Sequence, residues 1–358
     1  MRITERVISA KKCVRDKMRK IRRTYTLIRE LSSIDGDNIN RKFLDRVMFS
    51  VETLPPLGKE YWWLLFFGRD GRQMMVLVYR KFGRTMVFNG QNVVFWKTEH
   101  GAFRAVTTSW ICDGKELHDL GVTNPVIVSS NRVKALVSRI SDQKLIFKGK
   151  FPEYELEIGD LVHLKMTEGN SSENKCAYGV YLPPFGAGWI DIFTNAEGTV
   201  MGKEFVGTAH LQKVVGVMPY GSFHWARVVF QNNSIFSFFC LKTGEKSTRY
   251  FHISMNFYDH HARKYIRFRK PRLKISEKKE RITTWNIEGR DEENELRIVL
   301  VSYAEKKFTM HGGGSQTYIE YAVTPAEFML KTKDKTITLK DLGEGIGSFE
   351  DAYGSPGF

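Results

Sequence analysis

Glu60-Tyr-Trp-Trp-Leu-Leu-Phe-Phe-Gly-Arg-Asp-Gly-Arg-Gln-Met-Met-Val-Leu-Val-Tyr79 decides the fold. Two aromatic and β-branched runs of strand length flank Asp70-Gly71, a dipeptide suited to a tight turn. A β-hairpin is expected. The pattern returns at Ser222-Phe-His-Trp-Ala-Arg-Val-Val-Phe-Gln-Asn-Asn-Ser-Ile-Phe-Ser-Phe-Phe-Cys-Leu241, around Asn232-Asn233. Trp63 and Trp225 precede their turns by the same interval and lie 162 residues apart. That is about one domain, so an internal duplication is expected.

Working outward, short apolar runs alternate with turn signals, such as Lys81-Phe-Gly-Arg84, Cys112-Asp-Gly114 and Asn195-Ala-Glu-Gly198. This texture favours β-barrels or sandwiches over βαβ units. A chain of 358 residues suggests two domains. The expected division is a basic helical segment over 1–48, a first barrel over 49–200 and a second over 201–358. The fold class is mainly β: two antiparallel β-barrels packed together behind a basic N-terminal α-helix.

Ile3, Val7, Val14, Met18, Ile21, Tyr25 and Ile28 recur at helical spacing and form one apolar stripe. Residues 1–30 carry eleven Lys or Arg against three acids, about half of the net +15. Such a helix can pack on a barrel, rest on an anionic membrane surface or touch nucleic acid. Packing leads, peripheral membrane contact through residues 1–30 follows, and nucleic acid is the least favoured. No apolar run reaches the ~20 residues that span a bilayer. The expected location is cytoplasmic, with the inner membrane face as a further station.

Cys13, Cys112, Cys176 and Cys240 are widely spaced, without a CxxC pair, so neither a zinc ribbon nor a thioredoxin-like site is expected. No Walker or dinucleotide motif occurs. His311-Gly-Gly-Gly314 lacks the Gly-x-Ser-x-Gly elbow an esterase needs and reads as a hairpin loop. No cofactor and no metal are expected. In Phe205-Val-Gly-Thr-Ala-His-Leu-Gln-Lys-Val-Val-Gly216, His210 and Gln212 share one strand face, turned either inward or to solvent. Tyr258-Asp-His-His261 places Asp259 and His261 on one face, as an acid–base pair or a polar loop.

Glu60-Tyr-Trp-Trp resembles the opening of the carotenoid 1,2-hydratase and AttH-like superfamily. The later stretch resembles a pattern which that family shares with tocopherol cyclases. There Ala209-His210 takes a Gly-Tyr place, Gln212 an acidic place and Lys213 a basic one. Gly216, Pro219, Phe223 and Trp225 fill the rest. Gly343-Glu-Gly-Ile-Gly-Ser-Phe-Glu350 is similar to the family's Gly-rich last strand. The resemblance implies two lipocalin-like barrels with an apolar isoprenoid or lipid ligand near their junction, and acid-assisted hydration or cyclisation of an alkene. Trp62, Trp63, His210, Gln212, Phe223 and Trp225 are the expected ligand-binding residues. Gln212 cannot donate a proton as a carboxylic acid would, so the acid must come from elsewhere. His224, Asp259 and Glu350 are the catalytic candidates, with Asp351 beside them. A non-catalytic lipid carrier and a nucleic-acid-associated protein are the alternatives.

Overall fold

The computed structural model describes residues 3–34, 38–98, 101–114, 116–169, 175–242, 250–268, 271–279 and 282–356. The side chains of residues 3–14, 17, 251–252, 275–279 and 356 lie outside the description, and with them Ile3, Val7 and Val14 of the expected stripe.

Both hairpins form. Gly58–Gly68 pairs with Gln73–Lys81, and Gly71 takes the positive φ of 88° that its turn needs. Ser222–Phe230 pairs with Ile235–Lys242, and Asn233 turns at φ 67°. Each hairpin belongs to one of two antiparallel sheets, of fourteen and twelve strands among the described residues. The first strand of each hairpin pairs with the last strand of its own sheet: Gly58–Gly68 with Lys203–Val217, and Ser222–Phe230 with Gly345–Pro356. This shared layout is what duplication predicts.

Both sheets curl. In the first, Thr107 Oγ1 meets Ser138 Oγ at 2.9 Å, across strands that are not ladder neighbours. In the second, Gly289 abuts Met255 and Phe268. The protein is therefore mainly β, with two lipocalin-like barrels. The division near residue 200 is corrected. Met201 and Gly202, with φ 52° and 71°, form the tight turn between two strands of the first sheet, Phe185–Val200 and Lys203–Val217. The sheets divide after Val217. The short pair Thr85–Phe88 and Gln91–Val94, although early in sequence, joins the second sheet through Phe88 and Met310.

Side chains two apart share a face, and three apolar cores result. Trp62, Leu64 and Phe66 fill the first barrel with Val76, Val78 and Leu211. Ala226, Val228, Phe238 and Phe349 fill the second. Trp63, Leu65 and Phe67 point the other way and join Leu77, Trp110, Phe308 and Tyr318 in a layer between the barrels. The first hairpin is buried on both faces, which is why it reads as a continuous apolar run without alternation. Each large side chain so buried contributes roughly 1.5–3 kcal/mol.

The first helix, Ile3–Ser32, docks by its C-terminal part, burying Thr24, Leu27, Ile28 and Leu31. It lies on Gly179, Gly186 and Gly188, whose missing side chains let the helix approach the sheet. Met18, from the expected stripe, is 51% exposed. No helix among the described residues is long and apolar enough to cross a membrane. His311 and Gly314 bound a hairpin turn closed by the Gly312 amide donating to the Gly314 carbonyl.

Candidate functional site: the junction of the two barrels

The site is a layer of polar groups set among the rings between the barrels. From the first sheet, Lys203–Val217 turns His210 and Gln212 toward the junction, as the two-residue spacing requires. Gly207 on this strand has no room for a side chain, because a Cβ would collide with the Phe67 carbonyl. Asp191 is the register partner of Gln212 on the neighbouring strand. Its Oδ1 accepts from Gln212 Nε2 at 2.8 Å and lies 2.8 Å from His210 Nε2.

Burial pulls the pKa of His210 below its ordinary value, and Asp191 opposes this only in part. The imidazole is therefore neutral near pH 7. With its Nε2 proton directed at Asp191, Nδ1 is an acceptor, and among the described residues it is buried without a partner.

From the second sheet come Phe223, Trp225, Arg227, Tyr318, Glu320 and Glu350. Glu350 is the register partner of both Trp225 and Glu320. Burial lifts the Glu350 carboxyl to about 8; a hydrogen bond from Tyr318 offsets this in part, and the charge of Asp191 adds to it. At neutral pH it is a protonated acid in an apolar layer. Burial, then the neighbouring Glu350, also raises Glu320 well above the carboxylate range, while Ser348 Oγ donates to it at 3.1 Å.

The rings close around these groups. Trp225 stacks on His210 at 5.6 Å between centroids, and Phe193 lies 4.8 Å from the other rings' partner, His210. Trp63 meets Tyr318 edge-on at 5.2 Å, and Phe223 lies 6.3 Å from Tyr318. Among the described residues the indole nitrogen of Trp63 is buried without a partner, while Trp110 neighbours the Glu320 carboxyl.

Of the nine candidates, six meet here: Trp63, His210, Gln212, Phe223, Trp225 and Glu350. Three do not. Trp62 is one residue out of phase and points into the first barrel, its Nε1 donating to the Met48 carbonyl at 2.7 Å. His224 is likewise out of phase with Trp225. It faces the second barrel's interior, with Nδ1 2.9 Å from Asp351 Oδ1, which also accepts from Lys242 at 3.1 Å. Asp259 holds a turn, accepting from the Ala262 amide, and pairs with Lys335 at 3.2 Å. Asp191, Tyr318, Glu320 and Arg227 complete the site but were absent from the sequence-based set. For Asp191 the signal existed: a lone acid at the alternation point of Trp189-Ile-Asp-Ile-Phe193.

Beside His210 the junction holds a cavity of about 40 Å³, lined by Phe67, Phe193, Thr208, Ala209, His210 and Arg227 among others. Sites for drug-sized ligands measure about 300 Å³ or more. The cavity as it stands is smaller than an isoprenoid chain. A larger cleft of about 1080 Å³ lies elsewhere, between the first helix, a second helix over Arg41–Phe49 and the first barrel. It is open, its walls mix Arg23, Arg46 and Lys97 with Glu30 and Glu52, and none of the nine candidates lines it.

Fold and site together define a class: paired lipocalin-like barrels with a polar cluster at their junction. Among solved structures, the chain is similar to CghA, at 10% identity and a TM-score of 0.50, over 90% of this chain and 95% of that one. It is also similar to kievitone hydratase of Nectria haematococca, at 11% identity and a TM-score of 0.44, covering 90% and 96% of the two chains. An AttH-like protein of Nitrosomonas europaea matches at 9% identity and a TM-score of 0.44, covering 82% and 92%. The similarity to CghA is one of fold. No family model and no curated protein sequence matches the chain.

Proposed function

We propose that the junction binds an unsaturated, largely apolar molecule and adds a proton to it, in an acid-assisted hydration or cyclisation of an alkene. One observation supports this reading: Glu350 is a buried carboxyl in register with Trp225 and hydrogen-bonded by Tyr318, in a setting where burial raises its pKa to about 8. A neutral carboxyl in an apolar site is suited to proton donation. Glu350 gives its proton to an alkene carbon. The faces of Trp225, Trp63 and Tyr318 stabilise the positive charge that develops. The unpartnered Nδ1 of His210, oriented through Nε2 by Asp191, accepts the proton from an attacking water or substrate hydroxyl. The acid that Gln212 cannot be is thus supplied from the facing barrel.

The test is incubation of the purified protein with a panel of alkenes, polyprenyl compounds and shorter unsaturated acids, in heavy water. Wild type is expected to place deuterium on carbon, and Glu350→Gln to lower the rate about 10²-fold or more. No incorporation across the panel, with a lipid retained in native mass spectra, would replace the reading with that of a carrier.

A further inference from the structure

Arg227 is a buried cation at the junction. Its side chain projects from Ser222–Phe230 into the junction, two residues beyond Trp225 and on the same face. The residue is 8% exposed. Among the described residues it makes no ion pair, and its hydrogen bond to Ser237 Oγ is long, at 3.5 Å. Asp191 acts on it electrostatically from beyond ion-pair distance, and one Asp191 oxygen is already shared by His210 and Gln212. The Arg227 guanidinium carbon lies 3.7 Å from the centroid of the Phe193 ring. Stacking of this kind fixes the plane of a guanidinium and leaves its N–H edges for a planar, two-oxygen acceptor.

The 40 Å³ cavity opens beside this group. At about 10–15 Å³ for each water-sized position, it has room for roughly three atoms, the size of a carboxylate head. Its wall also carries His210, one ring away from Trp225 and its strand partner Glu350.

We infer that Arg227, stacked on Phe193, binds the carboxylate of an unsaturated organic acid and so sets the substrate class of the junction. This rests on and deepens the acid–base reading, because the cavity beside Arg227 is walled by His210, which stacks on Trp225. Its test does not depend on turnover.

The probes are trans-2-hexenoate and its neutral isostere trans-2-hexenamide, titrated into the full chain at constant ionic strength, with inorganic phosphate as the control anion. Hexenoate is expected to bind saturably, and the amide about 10- to 100-fold more weakly, the worth of a charge-assisted hydrogen-bonded pair. Arg227→Met should abolish the difference between the two probes. A second measurement needs no variant: phenylglyoxal labelling of Arg227, read by peptide mass spectrometry, should be blocked by hexenoate and not by hexenamide. Equal binding of acid and amide, phosphate competing as well as hexenoate, or labelling of Arg227 that is absent or unprotected would each overturn the assignment. Carboxylate binding without deuterium incorporation would uphold this inference while removing the catalytic reading.

Discussion

Asp191 and Gln212 face each other across two neighbouring strands, and one Asp191 oxygen lies 2.8 Å both from Gln212 Nε2 and from His210 Nε2. A carboxylate thus lies opposite Gln212, one strand away and at the same level of the sheet. Asp191 is a positioning residue: it fixes the ring and tautomer of His210. Asp191→Asn removes the hydrogen bond and the charge that raise the His210 pKa against burial, so His210 should titrate lower still. Loss of a charge-assisted hydrogen bond should also cost about 1.5–3 kcal/mol of stability. Nitrogen-detected NMR titration of the His210 ring, with urea unfolding, measures both. An unchanged His210 titration would show that Asp191 does not orient it.

Glu350 makes stability fall with rising pH. Its folded pKa is about 8 against an ordinary 4.5, so between these values the folded protein holds a proton that the unfolded chain has released. The stabilisation is complete below pH 4.5 and lost as pH rises through 8. Acting alone, the shift corresponds to roughly 5 kcal/mol at most. Glu350→Gln keeps the hydrogen-bonding shape without titrating. It should match wild type near pH 5, exceed it at pH 8.5 and flatten the profile between. Parallel wild-type and variant urea curves across this range would place the Glu350 pKa outside it.

What the sequence made legible follows from periodicity and turn chemistry. The Trp hairpins, the sheet-built halves and the docked helix all announce themselves locally. The parity of individual strands does not. Trp62 and Trp63 are equivalent in a run buried on both faces, and only the position of the second barrel separates interior from junction. His224 and Trp225 differ in the same way. A division near residue 200 puts one Trp hairpin in each half, but Met201-Gly202 there is a hairpin turn inside the first sheet, and a tight hairpin and a linker share their residue types. Tyr318 and Glu320 reach the site through pairing of Gly314–Lys331 with Gly345–Pro356, a contact no local pattern encodes.

A second prediction about buried charge concerns the first barrel. Glu60 is fully buried, with Arg80 Nε at 2.7 Å on one oxygen and Lys213 Nζ at 2.7 Å on the other. Burial pushes the Glu60 carboxyl up, but the two cations outweigh it and hold it below its ordinary range. Glu60→Gln leaves the Arg80 guanidinium buried without its carboxylate and lets Lys213, which burial already lowers to about 7, shed its proton; it should cost roughly 3–5 kcal/mol. Lys213→Met should cost less, because Arg80 still neutralises Glu60 and the thioether can pack on Trp62, against whose ring the ammonium now sits. Urea midpoints at constant slope rank the two. Equal losses would show that the three charges act as one unit.

The docking of the first helix depends on glycine at three sheet positions. A Cβ at Gly179 would stand 2.8 Å from the Ser32 amide nitrogen, and one at Gly188 2.8 Å from Leu31 Cβ. Backbone on one side and sheet on the other leave neither contact able to relax by a rotamer change. Gly179→Val must therefore lift the end of the helix, exposing Ile28 and Leu31, which are fully buried. Overpacking of this kind costs roughly 1–3 kcal/mol. Gly221→Ala is the control, since a Cβ there meets nothing within 4 Å. Hydrogen exchange over residues 24–32 should accelerate in Gly179→Val and stay at the wild-type rate in the control. The junction lies on the opposite face of the sheet from this helix, so His210 should titrate as in wild type. Exchange that remained slow in Gly179→Val would mean that the helix is held by contacts other than its seat on these glycines.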